Sequence, residues 1–209
     1  MRFKLFDLGE IDYLSAWALQ KEVLLKVRDR EFDAALLICQ HHPVITLGRR
    51  VVKSHLLVSS DELKLKGIDL LEVDRGGDIT YHGPGQLTAY PIFNLADFNR
   101  DLHFFLRQLE SAVIGCLKVF RSSAESKPGL TGVWCNDQKI CSIGIAVRQW
   151  ISFHGLSLNI KASDLSGFEL IKPCGMEIKM TSLETVTKRT VEIDEVKAEL
   201  ARSLREIIK

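Results

Sequence analysis

The sequence predicts an α+β fold, a mixed and largely antiparallel sheet flanked by helices. Apolar residues recur at helical spacing over residues 102–120 and again from Asp194 onward, marking two long amphipathic helices. Strand-like runs between residues 132 and 160 follow one another through short turns, as in a meander rather than a wound parallel sheet. The chain of 209 residues is 46% hydrophobic, with no internal repeat or linker, so one domain spanning residues 1–209 is the simplest organisation.

Taken in order, Asp12 is a plausible N-cap for a helix whose stripe is Leu14, Trp17, Ala18, Leu24 and Leu25, ending near Arg30 and lying on a sheet. Residues 34–39 form a short apolar run of the kind a buried strand shows. His41-His42-Pro43 breaks it, and residues 44–47 extend again. Further strands are expected at residues 69–73 and 87–93. The helix over residues 102–120 carries Leu102, Phe105, Leu106, Leu109, Val113, Cys116, Leu117 and Phe120 on one face. Residues 122–127 read as a serine-rich loop, and the meander turns at Asn136-Asp137 and near Arg148-Gln149. The last helix presents Val196, Leu200, Leu204 and Ile207.

The 28 basic and 27 acidic side chains nearly cancel, so net charge alone holds neither nucleic acid nor an anionic membrane. No segment approaches the roughly 20 apolar residues of a membrane span, and the N-terminus lacks a signal-peptide core. Five cysteines without disulfide-framework spacing fit a reducing compartment, so a cytoplasmic protein is expected.

The most unusual stretch is RGGDITYHGPGQ at residues 75–86, with four glycines in twelve residues. Glycine lets the backbone approach a ligand and present its amides, Arg75 can anchor an anion, and His82 can move a proton. A tight hairpin with Tyr81 and His82 as packing residues explains the same composition equally well. The stretch lacks the lysine of a P-loop and the G-x-G-x-x-G pattern.

Cys174 sits between Pro173 and Gly175, which suits an exposed, rigidly held nucleophile, whereas Cys39, Cys116, Cys135 and Cys141 fall in apolar elements. A thiol of pKa about 8.5 needs a partner to become a thiolate at neutral pH. His82, His154 and Lys139 are candidates. Strand periodicity sets Lys139 on one face with Cys141, Ile143, Ile145 and Val147, where a lysine either snorkels or is desolvated. It sets His154 with Leu156, Leu158 and Ile160, the pattern of a core histidine. Neither C-x-x-C nor H-E-x-x-H occurs, so no metal site is expected.

Residues 75–95 resemble the signature of the bacterial octanoyltransferase (lipoyl(octanoyl) transferase) family. HPVITLGR at 42–49, KICSIG at 139–144, SFHGLSLN at 152–159 and PCG at 173–175 are similar to it in the same order. The resemblance implies a biotin/lipoate protein ligase-like catalytic domain with Cys174 holding an acyl thioester and Lys139 as its acid/base partner. It implies that the acyl substrate contacts Arg75, Gly76, Gly77, Asp78, Ile79, Thr80, Tyr81, His82, Ser142, Ile143, Gly144, Gly155, Leu156 and Ser157, with His154 supporting. It further implies octanoyl-acyl carrier protein as donor, lipoyl domains of 2-oxoacid dehydrogenase E2 subunits and glycine cleavage H protein as acceptors, no cofactor, and a monomer. An ATP-dependent lipoate or biotin ligase, a cysteine acyl hydrolase and a non-catalytic acyl-binding protein are the rival readings.

Overall fold

A computed structural model describes residues 2–173 and 178–208. In chain order the elements are β1 (Phe3–Ile11), α1 (Tyr13–Arg28), β2 (Ala34–His41), β3 (Val44–Leu47), α2 (Ser60–Leu65), β4 (Asp69–Glu72), β5 (Ile79–His82), β6 (Gln86–Phe93), α3 (Leu102–Val119), β7 (Glu125–Lys127), β8 (Leu130–Cys135), β9 (Gln138–Arg148), β10 (Ile151–Asn159), α4 (Leu183–Thr187) and α5 (Ile193–Glu206). A seven-stranded sheet runs in the order β1-β2-β6-β10-β9-β8-β7, and a three-stranded sheet in the order β4-β3-β5. Only the β1–β2 and β3–β4 pairs are parallel among these strands, as the α+β reading requires.

The run AALLIC of β2 is continuous because both of its faces are covered. Ala34, Leu36 and Ile38 join the core under α3 and α5, while Ala35, Leu37 and Cys39 face α1 on the other side. Asp12 does cap α1, its carboxylate accepting from the Ser15 amide at 2.9 Å. The buried face of that helix is Tyr13, Ala16, Gln20, Val23, Leu24 and Val27, however, and Leu14 and Leu25 are exposed. The stripe is therefore rotated from the expected one, because two polar residues, Tyr13 and Gln20, take inward positions. Gln20 does so to accept the His154 amide at 2.8 Å.

The helix α3 buries Phe105, Leu109, Val113, Cys116 and Leu117 as its spacing predicts, and α5 buries Val196, Leu200 and Leu204. Part of the serine-rich stretch is not a loop: Glu125–Lys127 is the edge strand β7, paired with β8. The first meander turn holds Asn136 and Asp137 at positive φ, as a tight hairpin needs, and the second falls one residue later than expected, on Gln149 and Trp150. The glycine-rich segment carries β5 and leads into β6, and so joins the two sheets.

Candidate active site

A cavity opens where the small sheet meets β6, β9 and β10, and its walls follow from close backbone contacts. The amide of Gly76 donates to the Ile145 carbonyl at 2.8 Å, which ties the glycine-rich segment to β9. A side chain at Gly144 would put its Cβ 2.8 Å from the Gly76 carbonyl oxygen, and one at Gly48 would lie 2.5 Å from that of Gly77. These glycines are required by approach, not by turn geometry. Of the fourteen residues expected to hold substrate, all but Tyr81 line this cavity. Tyr81 instead faces the core of the small sheet, its ring 5.7 Å from that of Phe168. On the alternating strand β5 it points away from Thr80 and His82.

Arg75 borders the cavity, but much of its guanidinium is turned into protein. Its Nη2 donates to the Thr46 carbonyl at 2.6 Å and, with Nε, to the Thr46 hydroxyl, while Nη1 reaches the Gly76 carbonyl. These bonds fasten the segment to β3. Asp78 is likewise engaged, accepting from the Val52 amide at 3.1 Å and from His55 Nδ1 at 2.5 Å.

The cavity floor holds a buried network of neutral polar rings that sequence spacing did not reveal. Tyr13 lies at its centre, with ring centroids 5.1 Å from His41, 5.7 Å from His82 and 6.5 Å from His154. The Ile11 carbonyl can only accept, so His41 Nδ1 carries a proton, and Nε2 accepts from the Tyr90 hydroxyl at 2.6 Å. Burial pushes the pKa of His41 down to about 4 and holds that of His82 well below the usual range, the neighbouring His41 adding to the latter. Burial also lowers that of His154, which donates through Nε2 to Asp74 at 2.7 Å and thereby keeps that carboxyl low.

His154 reaches this network because its φ is +55°, a conformation uncommon for a non-glycine residue. The strand alternation is broken there, so His154 stacks on the α1 side with Tyr13 and Trp17 instead of joining Leu156 and Leu158 in the opposite core. Thr88 and Tyr90, alternate residues of β6, also line the cavity; polar residues on an otherwise apolar strand were the available signal.

Lys139 is 6% exposed and lines the same cavity. It does not share a face with Cys141. Trp134 pairs with Lys139 but its neighbour Val133 pairs with Cys141, so β9 advances two residues against one of β8. This bulge turns both Ile140 and Cys141 into the core under α3. Lys139 is left beside Trp134, with Nζ 5.4 Å from the indole centroid. Its backbone is held by the returning chain, donating to the Lys179 carbonyl and accepting from the Thr181 amide, each at 2.9 Å.

Cys174, with Gly175, lies outside the described residues; Pro173, which precedes it, lines the cavity. The four other thiols, Cys39, Cys116, Cys135 and Cys141, are buried, and burial raises the pKa of each, that of Cys116 to about 12. Such thiols stay protonated and inert at neutral pH. Among the described residues no cluster of His, Cys, Asp and Glu is arranged to hold a metal ion, and no helix is long and apolar enough to cross a membrane.

Comparison with known proteins accords with this architecture. The family model for the lipoyl protein ligase A/B catalytic domain matches residues 12–205. An octanoyltransferase of Caldanaerobacter subterraneus subsp. tengcongensis is 43% identical over 208 residues, covering 99% of this chain and 90% of that protein. One from Clostridium kluyveri is 43% identical over 178 residues, covering 85% and 76%. Among solved structures, a lipoate-protein ligase A bound with ATP superposes with a TM-score of 0.79 at 20% identity, over 99% of this chain and 85% of that one. The biotin protein ligase of Aquifex aeolicus gives 0.53 at 13% identity, over 100% and 70%. The chain belongs to the lipoyl protein ligase A/B catalytic-domain family, and within it to the octanoyltransferases.

Proposed function

We propose that this acyltransferase, whose activity is octanoyl transfer in protein lipoylation, works through a thioester on Cys174 with Lys139 as the acid/base group. The observation that carries the reading is that Lys139, a buried lysine, lines one cavity with Pro173, the residue bonded to Cys174, and with the glycine-rich segment. A general base accepts the thiol proton as a free amine, and that is the role assigned to Lys139. The buried, protonated state of the four described cysteines supports assigning the nucleophile to Cys174.

In the first half-reaction Lys139 takes the thiol proton of Cys174. The thiolate attacks the thioester carbonyl of octanoyl-acyl carrier protein, forming the new C–S bond; the pantetheine sulfur departs and receives the proton from Lys139. In the second, the amine of an acceptor lysine attacks the acyl-enzyme and gives a proton to Lys139. The C–S bond breaks, and the Cys174 thiolate is reprotonated by Lys139. A thioester becomes an amide, so the transfer is downhill without ATP. The acceptors are lipoyl domains of 2-oxoacid dehydrogenase E2 subunits and glycine cleavage H protein, the setting is the cytoplasm, and the enzyme acts as a monomer without a cofactor. At about 0.8 kcal/mol per buried CH₂, the six methylenes of octanoyl contribute roughly 5 kcal/mol before ordering costs, so the closed end of the cavity, not any one methylene, sets chain length.

Intact-protein mass measurement after mixing with octanoyl-acyl carrier protein tests the reading. Wild type gains one octanoyl group, Cys174→Ser gains none, and Lys139→Ala gains it slowly. An adduct that persists in Cys174→Ser refutes the nucleophile. The likeness to an ATP-bound ligase favours one second reading, ATP-dependent activation of free octanoate. Product formed from octanoate and ATP without carrier protein supports that alternative. A hydrolase using His154 fits less well, since both ring nitrogens are engaged by Tyr13 and Asp74.

A further inference from the structure

Glu110 is 1% exposed on α3, carries a carboxylate, and has no part in the mechanism above. Its Oε1 accepts from the Gly132 amide at 2.9 Å, and its Oε2 from Arg107 at 2.5 Å. Gly132 has φ +133°, a conformation that favours glycine, and it stands directly before the bulge at which β8 and β9 lose register. A Cβ on Gly132 would lie 2.5 Å from Lys139 Cε, 3.2 Å from Lys139 Nζ and 2.6 Å from the Cys141 carbonyl oxygen. The stem of Lys139 therefore crosses the strand through the space that the missing side chain leaves.

We propose that Glu110 and Gly132 are positioning residues for the reaction: the buried carboxylate pins the Gly132 amide, and the bare Cα of Gly132 forms the slot that aims Lys139 into the cavity. The inference rests on Lys139 being the acid/base group. A hydrogen bond from a backbone amide to a carboxylate is charge-assisted, and at this buried site it fixes a turn of chain that regular pairing leaves unfixed. Trp134 stands beside the slot, its ring centroid 5.4 Å from Lys139 Nζ. Charged groups near it among the described residues include Glu110 and Arg107 from α3 and Lys127 from β7, the last 5.2 Å over the same indole ring.

Two readouts on the full chain separate this proposal from the mechanism it rests on. The first is the rate at which Lys139 is acetylated by an N-hydroxysuccinimide ester, read by peptide mass. Gly132→Ala and Glu110→Ala raise it at least threefold by expelling the side chain from its slot. Glu110→Gln, which keeps an acceptor oxygen and the side-chain volume, leaves it within twofold of wild type. Unchanged labelling in Gly132→Ala and Glu110→Ala, or an equal rise in Glu110→Gln and Glu110→Ala, overturns the slot.

The second readout is the pH profile of Cys174 alkylation by iodoacetamide. Lys139→Ala slows alkylation at pH 7 at least fivefold, Gly132→Ala slows it in the same direction, and Gly132→Ala combined with Lys139→Ala is no slower than Lys139→Ala alone. If Lys139→Ala leaves the profile unmoved, the acid/base reading fails while the labelling result still judges the slot. If Lys139→Ala moves it and Gly132→Ala does not, or if the two losses multiply in the double variant, Gly132 does not act through Lys139 and the proposal falls.

Discussion

The neutral histidines under the cavity make a quantitative demand on stability. His41 is 1% exposed, donates to the Ile11 carbonyl and accepts from Tyr90, and burial pushes its pKa down to about 4. The unfolded chain returns it to about 6.5. Between those values the unfolded state binds a proton that the folded state does not, so stability rises with pH across the window and is lost as pH falls through it. At about 1.4 kcal/mol per pH unit the whole window corresponds to about 3.4 kcal/mol, of which about 2 kcal/mol is lost between pH 7 and pH 5. Urea unfolding of wild type and His41→Gln at both pH values checks this. The variant is less stable at pH 7, but its own loss on going to pH 5 is smaller than that of wild type by about 2 kcal/mol. Subtracting the two removes the contributions of His82 and His154, which titrate in the same direction. Equal losses in the two proteins refute a buried neutral His41, and with it the assignment of Nε2 as the acceptor of the Tyr90 hydroxyl.

Other perturbations test other parts of the site. Gly155→Ala places a Cβ 2.0 Å from the Ala89 carbonyl oxygen in the adjoining strand, so it costs about 3 kcal/mol or more and lowers Tm by about 6–12 °C, whereas Gly129→Ala, at φ +76° with open space around it, costs about 1 kcal/mol; calorimetry separates them. Thr46→Val removes the hydroxyl that accepts from two nitrogens of Arg75, costs about 1–3 kcal/mol by denaturant titration, and raises KM for the acyl donor by loosening the glycine-rich wall. Native thiol titration finds one fast-reacting group in wild type and none in Cys174→Ser, because Cys39, Cys116, Cys135 and Cys141 react only on unfolding.

Much of this protein is legible in its sequence for plain reasons. A strand covered on both faces must be apolar throughout, and β2 is. A helix packed along one side must repeat at helical spacing, and α3 does. The glycine-rich segment stands out because its own chain is closely packed: a Cβ at Gly76 would lie 3.1 Å from the Ile145 carbonyl oxygen, and one at Gly83 2.4 Å from the Tyr81 hydroxyl oxygen. The buried strand β5 escaped because it lies inside the glycine-rich segment, and two other missed strands have weak burial patterns. Strand β1 lies at the edge of the large sheet with most residues only partly covered, and β7 is a three-residue edge strand. Helix α1 was placed but turned wrongly, since Gln20 inside and Leu14 outside reverse the expected polarity.

The misread site residues share a physical cause. Periodicity assigns faces on the assumption that alternation continues, and in β9 and β10 it does not. The bulge at Ile140 sends two successive residues, Ile140 and Cys141, into the core and frees Lys139 for the cavity; the left-handed turn at His154 removes an imidazole from the apolar core and stacks it on Tyr13. Regular strands would have put Lys139 in a row with Cys141 and buried its amine against α3, away from the glycine-rich segment. Each irregularity carries a local penalty that regular pairing would avoid, and each occurs where a polar side chain must leave one face of the sheet for the other. The departures from strand periodicity are thus what convert the middle of a two-sided hydrophobic sheet into a wall of the cavity, and a sequence pattern that detects only regularity is blind at those positions.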